Sequence, residues 1–71
     1  MYRHYKHKRH LTLFLFHKEG APMQDASADL VGIHNWNYLA DIASIEDIPE
    51  QFRKTISEKG YCVYHQDFGL I

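Results

Sequence analysis

Apolar residues recur every four positions in the second half of the chain. Ile48, Phe52 and Ile56 keep this spacing and are separated by polar and charged residues, a pattern typical of a helix with one narrow buried stripe. Gly60 follows the last turn of the pattern and suits the left-handed position that ends many helices. The pattern therefore predicts a helix over residues 48–59 that packs on its apolar side.

Both ends of this helix carry further signals. Asp47 suits the N-cap, with Glu50 three positions later as in a capping box, and Pro49 is tolerated in the first turn because its missing N–H has no helical partner there. After Gly60 the apolar period changes from four to two, which indicates a strand over residues 61–66. Helix, glycine turn and strand form the scaffold of the predicted fold.

A second apolar run lies near the start of the chain. Residues 10–17 are rich in Leu and Phe, and their alternation is typical of a strand. The faces of this strand are both largely apolar, with Leu11, Leu13 and Leu15 on one and Thr12, Phe14 and Phe16 on the other. Such a strand needs cover on both sides, from the helix and from aromatic side chains or a partner. The preceding residues 1–9 form a basic N-terminal arm or extend this strand.

The middle of the chain is less regular. Residues 19–29 contain Gly, Pro and Ser and predict a loop, and residues 30–38 predict a strand antiparallel to the first. Residues 38–43 fit either a short helical turn or a strand, and we favour strand or irregular structure.

Together these elements predict a small single α+β domain over residues 1–71. Its antiparallel three-stranded sheet contains strands near residues 10–17, 30–38 and 61–66, with one helix packed on a face in the order β-β-α-β. A chain of 71 residues buries only about 60% of its extended-chain surface. The core is therefore small, and a deep active-site cavity is not expected.

The charge is divided unevenly along the chain. Residues 1–18 hold five basic residues and no acid, a charge of +5, whereas residues 19–71 hold nine acids and three basic residues, a charge of −6. Their sum is the net charge of −1 at neutral pH. The basic segment either neutralises the acidic remainder and keeps an edge strand soluble, or contacts an external polyanion.

The single cysteine and the apolar runs bear on the compartment. One cysteine excludes an internal disulfide, which fits a reducing compartment. The apolar run after the basic start is shorter than the core of a signal peptide, and no run is long enough to span a membrane. We therefore expect a cytoplasmic protein that does not enter a membrane.

Six histidines raise the question of a zinc site. His4, His7 and His10 are spaced by three, as are Cys62 and His65, and zinc binds imidazole and thiolate in tetrahedral sets. On a strand, however, residues three apart face opposite sides, so neither group converges. We predict no metal and no cofactor, with solvated histidines and Cys62 as a small buried residue.

Cys62 with a nearby histidine is also the simplest candidate for a catalytic pair. It follows the C-terminus of the predicted helix, whose partial negative charge disfavours a thiolate. The sequence contains neither a Ser-His-Asp signature nor a glycine-rich phosphate loop. We therefore predict that the protein is not an enzyme and has no catalytic residues.

The basic arm supports one of two candidate functions. Nucleic-acid binders combine cations that contact phosphate with aromatic rings that stack on bases. The candidate nucleic-acid-binding residues are Tyr2, Arg3, Tyr5, Lys6, Lys8 and Arg9. The acidic remainder would repel a duplex, and no helix-turn-helix or RNP-type pattern is present. A nucleic-acid-binding accessory protein is therefore the alternative.

Apolar residues that so short a chain cannot readily hide support the other function. Trp and Tyr are frequent anchors of protein interfaces, and for any one of these residues a place in an ordinary core is an equal alternative. The candidate partner-binding residues are Phe14, Trp36, Tyr38, Phe68, Leu70 and Ile71. We predict a small non-catalytic protein-interaction module. It would be a regulator or inhibitor that occludes a surface of a larger protein, or it would pair with itself as a homodimer.

Overall fold

The computed structural model describes residues 1–22 and 32–71. These described residues form five strands and one α-helix: β1 (Tyr2–His7), β2 (Leu13–Lys18), β3 (Trp36–Ile42), α1 (Glu50–Lys59), β4 (Tyr61–His65) and β5 (Gly69–Leu70). Two short 3-10 helices, Ile33–Asn35 and Ile45–Asp47, lie before β3 and α1.

The strands form one antiparallel sheet in the order β3-β1-β2-β4-β5. The α+β class agrees with the prediction, but the three-stranded sheet and the order β-β-α-β are wrong. The described residues have the order β-β-β-α-β-β in a five-stranded sheet. The two-residue β5 was missed because so short a strand has no readable periodicity.

β1 is the segment that we assigned to a basic arm or to an extension of the next strand. It is a strand of its own, hydrogen-bonded to β2 on one side and to β3 on the other. A turn separates it from β2, and in that turn the N–H of Leu13 donates to the carbonyl of His10 at 3.2 Å. Basic residues such as Arg3 and Lys6 made this inner strand hard to recognise in the sequence. Long basic side chains can nevertheless lie in a sheet, because they cover apolar neighbours while their charge stays near water.

The predicted strand over residues 30–38 is misplaced. Residues 30–31 lie outside the described residues, Ile33–Asn35 is a 3-10 helix, and β3 runs from Trp36 to Ile42. The ambiguous segment is therefore mostly strand. Asn35 ends the 3-10 helix, and Asn37 lies in β3.

The helix begins later than predicted. Its first residue is Glu50, and the N-cap position is Pro49, which makes no side-chain cap bond. Asp47 belongs to the preceding 3-10 helix and does not cap α1. The guanidinium of Arg53 instead donates to the carbonyl of Ile48 at 2.9 Å, which ties the 3-10 helix to α1.

The predicted helix end at Gly60 is confirmed. Gly60 has φ +86°, a left-handed conformation, and its N–H donates to the carbonyl of Ile56 at 2.8 Å. Its own carbonyl accepts from the N–H of Lys18 at 2.7 Å. The turn after α1 is thereby fixed to the end of β2.

Each face of the sheet carries a buried cluster. The cluster under α1 contains Phe16, Ile48, Phe52, Ile56 and Cys62. The cluster on the opposite face contains Tyr5, Leu13, Leu15, Trp36 and Val63. Leu15 and Phe16 are adjacent in β2 and are 0% and 4% exposed, so β2 is buried on both faces as its sequence predicts.

Candidate protein-interaction surface

The face of the sheet away from α1 carries a depression between β1 and β3. It has a volume of about 340 Å³ and is lined by Arg3, Tyr5, Tyr38 and Asp41. Arg3 and Asp41 are cross-strand partners, so their side chains share this face. A cation, a carboxylate and two phenols are thus brought together.

These polar groups already bind one another or a neighbour. Hydrogen bonding to Tyr5 and the charge of Glu19 raise the pKa of Arg3, and the guanidinium lies 3.2 Å from the Glu19 carboxylate. A hydrogen bond from Tyr38 to Asp41 raises the pKa of the Tyr38 phenol. The depression therefore offers a ligand few unpaired polar groups.

His17 lies next to Arg3 on the same face. Burial and, to a smaller extent, the charge of Arg3 lower its pKa, while a hydrogen bond with the backbone of Ala21 opposes this shift. Its Nε2 atom is buried and has no hydrogen-bond partner among the described residues. His17 is 7% exposed and does not line the depression, so it gives the depression no accessible base.

The other candidate chemical groups do not form a site either. His4 and His7 lie on opposite faces of β1, although the rings of His7 and His10 are 4.7 Å apart. Within residues 1–22 and 32–71, no three His, Cys, Asp or Glu side chains are grouped to hold a metal ion. Burial raises the pKa of the Cys62 thiol to about 11, so the thiol stays protonated at neutral pH.

The sheet end that carries the β1–β2 and β4–β5 turns differs from the rest of the surface. The two turns are joined, because the N–H of Gln66 donates to the carbonyl of Thr12 at 2.8 Å. The Thr12 hydroxyl and the Nε2 atom of His65 are 2.6 Å apart, and the His65 ring lies 4.6 Å from that of Phe68. Residues far apart in sequence thus form one structured end.

Large apolar side chains are exposed at this end and along the adjoining edge strand β5. We call them the loop-end surface, which consists of Leu11, Phe68, Leu70 and Ile71. Their exposed fractions are 73%, 83%, 49% and 64%. Such a concentration of exposed apolar residues is typical of an interaction surface.

Half of the predicted partner-binding residues belong to this surface. Phe68, Leu70 and Ile71 form part of it, and Phe14 lies next to it, half-buried and with its ring 5.3 Å from that of Tyr64, the cross-strand partner of Leu70. The other two predicted residues, Trp36 and Tyr38, lie elsewhere.

Trp36 is 4% exposed, and its ring packs edge-on against His7 within the cluster away from α1. Its indole N–H is buried and has no partner among the described residues. Tyr38 is 53% exposed but lies on β3, at the opposite edge of the sheet from β5. Trp36 is therefore a core residue here, and Tyr38 lies apart from the loop-end surface.

Leu11 was missed as a surface residue. The sequence placed it inside a predicted strand, whereas it lies in the turn between β1 and β2. That turn contains no Gly, Pro or Asn, so the usual turn signal is missing. The run of basic residues immediately before Leu11 was the only available hint that the chain stays at the surface there.

The candidate nucleic-acid-binding residues do not share one surface. Because β1 is a strand, Tyr2 and Lys6 face α1, whereas Arg3 and Tyr5 face the opposite side. Tyr5 is only 6% exposed, so its ring is not free to stack on a base. Lys8 and Arg9 are exposed in the first turn.

Three of these cations have no carboxylate partner among the described residues. Among the described residues the only ion pair is that of Arg3 with Glu19. Within the described part of the chain, Lys6, Lys8 and Arg9 are therefore available to pair with acids of an external partner. They lie on β1 and in the turn that carries Leu11, beside the loop-end surface.

Neither edge of the sheet favours extension by another strand. β3 has a register shift against His4 and Tyr5, which marks a bulge, and bulges interrupt the ladder that an added strand would need. β5 has only two residues. Contacts through side chains are therefore better supported than strand addition.

No family model, curated protein or solved structure matches this chain. No helix among the described residues is long and apolar enough to cross a membrane.

Proposed function

We propose that this chain is a non-catalytic protein-interaction module that binds a larger protein through the loop-end surface and occludes part of it. The observation that carries this proposal is the exposure of Leu11, Phe68, Leu70 and Ile71 on two hydrogen-bonded turns and the adjoining strand. Apolar anchors whose backbone is already held by hydrogen bonds lose less conformational entropy when a partner buries them.

The chemistry of the remaining surface favours binding over catalysis. The polar groups of the depression are paired with one another, and the Cys62 thiol is buried and protonated. A regulator or inhibitor needs none of these groups to react, since it acts by covering a surface. A buried single thiol also suits the reducing cytoplasm, where we place the protein.

Two matched leucines provide a test of this proposal. Leu70 on β5 and Leu39 on β3 are 49% and 48% exposed, but only Leu70 belongs to the loop-end surface. We expect Leu70→Ser to weaken binding of a partner recovered from nuclease-treated lysate and then purified, mainly by raising the dissociation rate. Leu39→Ser should leave that rate unchanged. Equal effects of the two substitutions, or none from either, would contradict the proposal.

The purified chain and the lysate also distinguish this proposal from a homodimer and from a nucleic-acid-binding protein. Light scattering of the purified chain should give the mass of a monomer. A dimer that Leu70→Ser dissociates would show instead that the surface pairs with a second copy. Recovery of the partner only without nuclease would favour the nucleic-acid alternative, and affinity would then fall steeply with salt.

A further inference from the structure

A band of cross-strand neighbours connects the unpaired cations to the loop-end surface. Lys6 pairs with Phe14, Phe14 with Tyr64, and Tyr64 with Leu70, so all four side chains lie on the same face of the sheet. With strands about 4.8 Å apart, the band spans roughly 14 Å. This length equals about four residues of an extended chain.

The two ends of the band differ in chemistry. At the β1 end, Lys6 adjoins the turn that holds Lys8 and Arg9, and none of the three forms an ion pair among the described residues. At the β5 end, Leu70 follows the turn residue Phe68 by two positions, and residues 60–71 contain no Lys or Arg. Asp67 is the one acid in the two turns, so the two turns together carry a positive charge.

The middle of the band is aromatic and accessible from one side. Phe14 and Tyr64 are half-buried, with ring planes inclined by 21° and centroids 5.3 Å apart. Phe52 of α1 lies 4.6 Å from the Tyr64 ring and forms one wall. The band is thus a partly exposed aromatic strip beside the helix.

From this arrangement we infer that the partner contributes an extended acidic-apolar segment. Its carboxylates bind Lys6, Lys8 and Arg9, and bulky apolar side chains about four residues away cover Leu70 and Phe68. This inference rests on the proposed function and specifies its partner. The cations supply long-range attraction and orientation, and the apolar end supplies the slow dissociation.

Three synthetic peptides of twelve residues test the inference. The first has a block of Glu and Asp followed after four residues by Leu and Phe; the second replaces the acids by Lys; the third replaces Leu and Phe by Ser. Fluorescence anisotropy at low salt should show the first peptide binding at least about tenfold more tightly than either other peptide. Amide shifts in NMR spectra should map it to Lys6, Leu11 and Leu70.

Protein variants distinguish this inference from the proposed function. Lys8→Glu with Arg9→Glu should weaken the acidic-apolar peptide about tenfold, mainly through association, whereas Phe68→Ser should accelerate its dissociation. If the acidic and basic apolar peptides bind equally and Phe68→Ser weakens both, the surface is a binding site but the acidic partner is wrong. If Phe68→Ser has no effect on any binding peptide, the proposed function fails as well.

Two further results would overturn the inference. One is the absence of binding by all three peptides at millimolar concentration. The other is tighter binding of a twelve-nucleotide oligothymidylate than of the acidic peptide, lost in the double Glu variant, because that result assigns the cations to phosphate.

Discussion

A Cβ atom placed on Gly60 would lie 2.6 Å from the Cβ of Ala21, and Gly60 itself has φ +86°. Two separate costs therefore oppose a side chain at this position: the left-handed backbone and the contact with Ala21. We expect Gly60→Ala to lower the free energy of unfolding by about 1–3 kcal/mol, measured by urea denaturation. Glu58→Ala, at an exposed position of the same helix, should change it by less than about 0.5 kcal/mol.

A double-mutant cycle separates the two costs. In an Ala21→Gly background the contact is absent but the backbone strain remains, so Gly60→Ala should cost at least about 0.5 kcal/mol less than in the wild type. Equal costs in both backgrounds would mean that the segment of Ala21 moves away freely and that only backbone strain matters.

The region around Gly60 was also the part of the fold that the sequence predicted best. There, local chemistry and tertiary structure agree: the apolar stripe of Phe52 and Ile56 is buried, and glycine ends the helix. The N-terminal strand was not predictable in the same way. Its position between β2 and β3 depends on long-range pairing, and its basic residues hide the alternation that would mark a central strand.

The candidate surface could be predicted only in part, for a similar reason. Phe68, Leu70 and Ile71 were candidate interface anchors in the sequence, and they are exposed. Trp36 was an equally good candidate for an interface anchor in the sequence, but it is buried. Whether an aromatic residue faces a core or solvent depends on which strands neighbour it. Leu11 joins this surface because its turn is hydrogen-bonded to a turn more than fifty residues away in the sequence. No local sequence pattern predicts such a contact.

Acid should destabilise the protein through half-buried His4 and buried His17. His4 stacks on Phe16 with ring centroids 4.5 Å apart, and burial lowers its pKa below the ordinary 6.5. Below pH 6.5 the unfolded chain binds a proton at this position more readily than the folded protein does, so stability is full above that pH and falls as the pH decreases. Urea midpoints between pH 7.5 and 5 should show this decline.

Substituting each histidine measures how much it contributes to the loss of stability in acid. His4→Phe keeps the ring stacking and removes the titrating group, so it should make the decline with acid shallower. His17→Gln should do the same, because burial also lowers the pKa of His17, and the two changes together should reduce the slope most. An unchanged slope in the double variant would show that the carboxylates alone govern acid stability.

Alkaline pH should destabilise the protein through Cys62. Burial raises its pKa from 9.0 to about 11, against the smaller opposing effect of Lys59. The unfolded chain therefore loses the thiol proton first, and this contribution to stability is present below pH 9 and lost as the pH rises toward 11. Cys62→Ala should lower the free energy of unfolding at pH 7 through lost packing. Between pH 9 and 11, the stability of this variant should decline less than that of the wild type.

Thiol reactivity gives an independent measurement. At pH 8, a disulfide reagent such as dithionitrobenzoate should modify Cys62 far more slowly in the native protein than in 6 M urea, since the side chain is 1% exposed. Similar rates in the two conditions would mean that β4 opens readily and that the buried thiol does not report on the folded state.

Two phenylalanines at opposite extremes of exposure should differ in what they contribute to folding. Phe52 is 2% exposed and packs against Phe16 and Tyr64, so Phe52→Ala should cost about 3–5 kcal/mol of stability through the cavity it leaves. Phe68 is 83% exposed and contacts the His65 ring, so Phe68→Ala should cost less than about 0.5 kcal/mol. Chemical denaturation of both variants measures the difference. A loss above about 1.5 kcal/mol for Phe68→Ala would show that this ring stabilises the monomer, and would remove the main anchor from the loop-end surface.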